Sequence, residues 1–316
     1  MKKLWLIILG IVIIISGCQK TETKKISIGV NDWPPCEVWY IAQEQGYFDG
    51  LNVEINRFSN WTDNMNSLYF GTTDITHATY FNSVYLADKG ESGKIMMPID
   101  TIIGSDGLVV EKNIENIEDL RGKKVAVEIG TDEHFLLAKS LESVNLSMSD
   151  VDIVSSTSKE SKDLLVSGEV SGALTYEPYL SMAKNESNGN VLFTTADLPN
   201  YMVDVLVVRE NALENREDEF KKIVEAWYKA LDYIKENPDK SFELMAKNEN
   251  MSKENFESFF NSFKFYSANE AKDIMDSKEL QSKLLEMNDF SIENNLINDN
   301  IDIQKILDTD LLRVNK

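Results

Sequence analysis

From Ile26 onward, short β-branched runs alternate with stretches whose apolar residues recur at helical spacing. Ile26 to Val30 reads as a strand, Glu37 to Phe48 as a helix and Leu51 to Phe58 as a second strand. The rhythm continues through a helix from Thr62 to Phe70, a strand from Ile75 to Ala78, a helix from Asn82 to Lys89 and a strand from Lys94 to Ile99. This βαβ order predicts mostly parallel strands joined by helices. A middle block follows, bracketed by the extended segments Leu108 to Val110 and Val205 to Val208. Inside it Lys124 to Glu128, Val151 to Ser155, Ala173 to Thr175 and Val191 to Thr194 are strand-like, and Asp132 to Ser143 and Lys159 to Val166 are helical. Beyond Asn211 the pattern changes to long helices. Phe220, Ile223, Val224, Trp227, Leu231 and Ile234 fall on one face, and Asn237-Pro238 ends that helix. Its partner starts near Asp239, and further helices are expected from Ser252 to Phe263, Ser277 to Met287 and Ile303 to Leu307. The pattern predicts an α/β protein of two lobes joined by two crossover strands. Residues 26–110 and 204–316 form lobe 1, with the C-terminal helices clasping it, and residues 111–203 form an inserted lobe 2.

The start of the chain has a different character. Lys2 and Lys3 precede an apolar run from Leu4 to Ile15, followed by Ser16, Gly17 and Cys18. Twelve residues are too few to span a bilayer comfortably. A basic start, a short apolar core and small residues at a cut site describe a secretory signal peptide covering residues 1–17. The order Ile15-Ser16-Gly17-Cys18 resembles a bacterial lipobox, which implies lipid attachment at Cys18 and leaves residues 18–25 as a polar tether. The expected location is extracytoplasmic, anchored by lipid to the bacterial cell membrane.

Charge and cysteine content then narrow the chemistry. With 53 acidic against 32 basic residues the net charge is −21, the wrong sign for a nucleic-acid partner. Once Cys18 is acylated, the second and last cysteine, Cys36, is an unpaired thiol in an oxidising compartment. No nucleophile elbow, phosphate loop, dinucleotide fingerprint or zinc-type cluster is apparent, so neither an enzyme nor a cofactor is expected.

In open α/β sheets ligands sit beyond the C-terminal strand ends, so the loops there hold the candidate contacts. After the first strand, Asn31 to Glu37 offers Trp33 as a flat wall on a loop stiffened by Pro34 and Pro35. Cys36, near a helix start, is open to two readings: a thiolate favoured by the helix amides, able to hold a soft metal or organometal, or a buried small hydrophobe. Asn60 and Trp61 follow the second strand and are expected to face Trp33. His77 and Thr79 follow Gly71-Thr72-Thr73-Asp74; His77 is either a structural histidine or a ligand near Cys36. In the second lobe Thr131 opens a helix whose next residues, Asp132 and Glu133, are either solvent-facing helix stabilisers or, if they face the cleft, repellents of an anionic cargo. Tyr176 and Glu177 are assigned to binding, and Asp106, Gly107 and Asp204 to the hinge.

Four strings carry a family resemblance: Ile41 to Phe48 (IAQEQGYF), Ile117 to Val127 (IEDLRGKKVAV), Tyr176-Glu177-Pro178-Tyr179 and Asp204 to Val208 (DVLVV). They resemble the substrate-binding lipoproteins of ABC importers in the nitrate, sulfonate and taurine class, which also contains binders of thiamine-pyrimidine precursors. The resemblance runs from about Ile26 to Leu312. It implies a type II periplasmic-binding-protein fold that closes on a small solute and presents it, as a monomer, to a membrane permease. A sensor docking on a membrane receptor would use the same closure. Cys36 also resembles a cysteine or selenocysteine in a subgroup of these importers associated with organometallic cargo, which keeps a soft-metal carrier as an alternative. An amine or heteroaromatic cation, a sulfonate-like anion and an organometal all stay open as cargo.

Overall fold

The computed structural model describes residues 24–88, 93–307 and 310–312. The segment read as a signal peptide, Cys18 and most of the expected tether lie outside the described residues.

Eleven strands are described: β1 Ile26–Val30, β2 Val53–Arg57, β3 Ile75–Thr79, β4 Gly93–Ile102, β5 Asp106–Val110, β6 Lys124–Val127, β7 Asp152–Ser155, β8 Gly172–Tyr176, β9 Asn190–Thr194, β10 Val203–Arg209 and β11 Phe263–Phe265. They build two sheets, ordered β11-β4-β10-β3-β1-β2 and β7-β6-β8-β5-β9. Two α/β lobes are therefore present, as the hydrophobic rhythm predicts. The strand directions need correction. β1 runs parallel to β2 and β3, and β6 to β7 and β8, but β10, β4 and β11 continue the first sheet antiparallel and β5 and β9 do the same in the second. The strands that receive the chain from a crossing, β5 and β10, run against the parallel strands of their sheets, whereas β4 and β9, which lead into the crossings, run with them.

The lobe boundary also moves. Asp106–Val110 pairs with β8 and β9 and is wholly part of the second sheet, whereas the sequence reading assigned residues up to 110 to the first lobe. The first crossing is the short link 103–105, where Gly104 adopts φ +84°. Gly107, expected at the hinge, is held inside β5, where an added Cβ would lie 2.8 Å from the Phe193 carbonyl oxygen. The Gly104 N–H donates to Thr195 Oγ1 of the returning chain at 2.7 Å, tying the two crossings together.

The long helix Glu217–Glu236 buries the six apolar residues its spacing picks out, with the Trp227 ring 4.9 Å from Trp39. Burying side chains of this size contributes about 1.5–3 kcal/mol each. Helix Lys253–Phe260 is shorter than expected, because the chain leaves it to form β11 on the edge of β4. Helices Tyr179–Ser187 and Ala268–Met275 were not foreseen. Helix Lys278–Glu293 packs on lobe 1 through Phe290 against Phe81, and also reaches lobe 2: Phe290 meets Phe135 at 5.2 Å and Glu286 pairs with Lys139.

Candidate functional site

The site is built where the first sheet ends at the crossings. Asp204 of β10 lies directly opposite Asp100 of β4 on one side and Thr79 of β3 on the other. Directly opposite residues share a sheet face, so Thr79, Asp204 and Asp100 form one row. The β4–β10 register shifts beside this row, with Asp204 opposite Asp100 but Val205 opposite Pro98, so Ile99 is the extra residue of a bulge. A bulge re-aims the side chains next to it, and proline, lacking an N–H, suits such a position. Thr101 and Val203, the next residues, line a separate cavity of about 440 Å³ with Tyr80, Tyr266 and Lys283.

The second lobe meets this row with helix Asp132–Glu142. Asp132 Oδ2 accepts a hydrogen bond from Thr79 Oγ1 at 2.8 Å, across the lobes. Asp132 and Glu133 are each 8% exposed, turned away from solvent, and both charges act on Asp106. Asp106 completes a set of five buried carboxylates with Asp100, Asp132, Glu133 and Asp204. Among the described residues none of the five forms a salt bridge, and the charges that act on them are those of other carboxylates.

Burial is the main cause of the shift in every case. It raises Asp100 well above the ordinary carboxylate range, with the Asp204 charge adding to it. It raises Asp204 to about 7, opposed by the bond from Trp33. Asp106 is pushed up by burial, then by Glu133, Asp132 and Asp204; Asp132 by burial and Glu133; Glu133 by burial, opposed by a bond from Thr131. Both oxygens of Asp100 and Oδ1 of Asp132 have no hydrogen-bond partner.

Aromatic rings close the other side. Trp33 Nε1 donates to Asp204 Oδ2 at 2.7 Å, and its ring stands edge-on to Trp61 at 6.5 Å, Tyr176 of lobe 2 at 6.1 Å and Phe263 at 5.2 Å. Trp61 faces Trp33 as the sequence suggests, held by its Nε1 donating to Asn82 Oδ1 at 2.9 Å. Trp33, Trp61, Thr79 and Tyr176 thus come together at one place.

Other expected contacts have different occupations. Asn60 caps helix Trp61–Tyr69, its Oδ1 accepting from Asp63 N at 2.7 Å. Thr131 Oγ1 donates to the Glu128 carbonyl at 2.7 Å. Glu177, assigned to binding, accepts from Ser181 N at 3.1 Å and Ser181 Oγ at 2.6 Å, serving the unforeseen helix Tyr179–Ser187. Asp106 and Asp204, assigned to the hinge, are the ones in the seam. His77 points away among Trp39 and Trp227: its Nε2 accepts from Trp39 Nε1 at 2.8 Å, and burial lowers its pKa to about 3. Cys36 is fully buried, its thiol 3.8 Å from Asn31 Oδ1, and burial pushes its pKa up, so the desolvation of a thiolate outweighs the helix amides. Among the described residues no group of three or more histidine, cysteine and acidic side chains is set to hold a metal ion. Asp100 is the seam carboxylate that sequence reasoning missed. The available signal was a lone charge in the apolar run Met96 to Ile102.

Residues 19–247 match the NMT1-like family. The chain belongs to that family. This NMT1-like chain is 23% identical over 330 aligned residues, covering 99% of it and 96% of the relative, to a putative aliphatic sulfonates-binding protein of Bacillus subtilis (strain 168). Among solved structures, the periplasmic aliphatic sulphonate binding protein SsuA of Escherichia coli superimposes with a TM-score of 0.76 at 17% identity, covering 90% of this chain and 91% of that one. The desulfurization enzyme DSZB has the same fold, with a TM-score of 0.64 at 15% identity over 92% of this chain and 97% of that one. The two-lobed periplasmic-binding-protein fold expected from the sequence is thus the fold of this NMT1-like chain.

Proposed function

We propose that this chain is an extracytoplasmic solute-binding lipoprotein that captures a small molecule between its lobes and delivers it to an ABC-type permease. The observation that carries this reading is the seam itself. Both lobes contribute buried polar groups to one place, and three oxygens there lack partners, the condition of a site completed by an occupant. The family, and a binding-protein relative aligned along almost its whole length, support it. Closure works because the solute binds the closed arrangement more tightly than the open one. Cys18 carries the lipid, and the protein acts as a monomer that releases its solute unchanged.

The test joins structure to transport. Solute found by thermal-shift screening is expected to contract a monomer in small-angle scattering and to be recovered chemically unaltered by mass spectrometry. Deleting the gene is expected to abolish uptake of that solute, and Cys18→Ala to abolish palmitate labelling. Turnover of the solute, or closure without any loss of uptake in the deletion strain, would point instead to an enzyme or to a sensor.

A further inference from the structure

The sign of the seam points to its occupant. Asp100 is 0% exposed, and neither of its carboxylate oxygens receives a hydrogen bond. Asp132, 8% exposed, has one oxygen satisfied by Thr79 and the other by nothing. A buried carboxylate without donors is among the most costly groups a fold can carry, and it is ordinarily neutralised or paired. Here the neighbouring charged groups are all of the same sign, so the protein does not supply the missing donors itself.

The two lobes share this burden. Asp100 and Asp204 come from the first sheet, Asp106 from the second, and Asp132 and Glu133 from the start of helix Asp132–Glu142. Closing the lobes therefore brings like charges together, and a positive occupant converts that repulsion into attraction from both sides. An anion meets the reverse. The helix start that could have offered it free amides presents Asp132 and Glu133 instead. The walls agree with the lining, since Trp33, Trp61 and Tyr176 surround the same place with the π-faces and edges that suit a cation with an apolar or ring-shaped body.

We infer that the solute is a small organic cation, an ammonium or amidinium head whose N–H donors satisfy Asp100 and Asp132 while its body lies among Trp33, Trp61 and Tyr176. This rests on the solute-binding reading above and assigns the charge that reading leaves open. It separates this chain from the relative named for aliphatic sulfonates, whose ligands are anions.

The experiment uses probes of one shape and three charges: benzamidine, its neutral isostere benzamide and the anion benzenesulfonate. They are set within a larger panel of ammonium compounds, such as choline, putrescine and benzylamine, and of sulfonates and carboxylates of matching size. Thermal shift and calorimetry on the purified protein are expected to find binders among the cations. Their affinity is expected to fall roughly ten- to hundredfold in Asp100→Asn and Asp132→Asn, as for loss of a charged hydrogen bond. Urea denaturation of the two variants shows that they remain folded. Stronger binding of an anion or neutral compound than of its cationic isostere, or cation binding unchanged in both variants, overturns the assignment of charge and leaves the solute-binding reading standing. If no compound of any charge stabilises or contracts the protein, the solute-binding reading falls and this inference with it.

Discussion

Two acidic clusters act on the buried Cys36 thiol, and they are finished in opposite ways. In the first, Glu37 has a fully buried side chain, yet each oxygen is engaged: Oε1 by Arg57 and Oε2 by Asn248 Nδ2 at 2.7 Å. Arg57 also reaches Asp32 and Glu249, both at 2.8 Å, stitching the loop after β1 to the C-terminal helices. In the second cluster Asp100 has no partner at all. The difference teaches where this molecule completes itself and where it leaves a requirement for something else to meet. A built-in guanidinium fixes a joint, whereas carboxylate oxygens left without donors at a seam between lobes are a specification for a visitor.

The comparison is most severely tested at Arg57. Arg57→Ala strands Glu37 in the interior and is expected to cost roughly 2–4 kcal/mol, less than a fully enclosed pair because Arg57 is partly exposed. Urea denaturation measures this, and a near-neutral result would remove the contrast. Next in size, and opposite in sign, Asp100→Asn is expected to raise the stability of the ligand-free protein by about 1–2 kcal/mol, because it removes a buried carboxyl that must take up a proton to fold and that nothing inside the protein pairs with. A destabilised Asp100→Asn would make the seam a structural joint like the first cluster.

The third test is pH. Asp204 is raised to about 7 and Glu37 to about 8, both above their unfolded values, so folding favours their protonated forms. Their contribution is present at low pH and is lost as pH rises through 7 and 8. His77 and His134 are depressed, to about 3 and 4, so their contribution is complete above the unfolded histidine value and is lost as pH falls below it. On these four groups the opposing slopes nearly cancel between about pH 5 and 6.5, and the other seam carboxyls, also raised, tip that range downward, so ligand-free stability is expected to fall as pH rises from about 5 to about 8, and a melting series across that window checks it. The smallest effect is at Cys36, whose pKa burial raises, with Glu37, Asp204 and Glu249 adding to it from the two clusters. Native protein at pH 8 is expected to resist labelling by iodoacetamide, with the thiol reacting only on denaturation. Rapid native labelling would show a thiolate and restore the reading of Cys36 as a soft-metal ligand.

What the sequence discloses depends on how local the cause is. β1 and β10, buried on both faces, emerge from continuous β-branched runs, and the face of helix Glu217–Glu236 from its spacing, because burial on one side of a helix imprints a period. Trp33 and Trp61 are legible as large rings on loops after strands. β11 is hidden, since Phe263-Lys264-Phe265 is too short to show a period and follows an apolar helix. Glu177 and Asp204 exchange roles for a related reason: Glu177 is occupied by Ser181 in a helix not foreseen, and Asp204 enters the site through pairing with strands far away in the chain. Asp100 is the extreme case. Its meaning depends on a bulge, a partner strand and a second lobe, none of which its neighbours in sequence announce.

Trp33 has a further, optical consequence. Its indole N–H is bound to Asp204, its ring touches Tyr176 of the other lobe, and Trp61 lies beside it, while Trp39 and Trp227 are enclosed against His77 well inside lobe 1. Only the first pair borders the seam. Parting the lobes would admit water to that indole and shift its emission to the red, while the interior pair supplies a constant background. The molecule therefore carries its own gauge of opening, readable without any label.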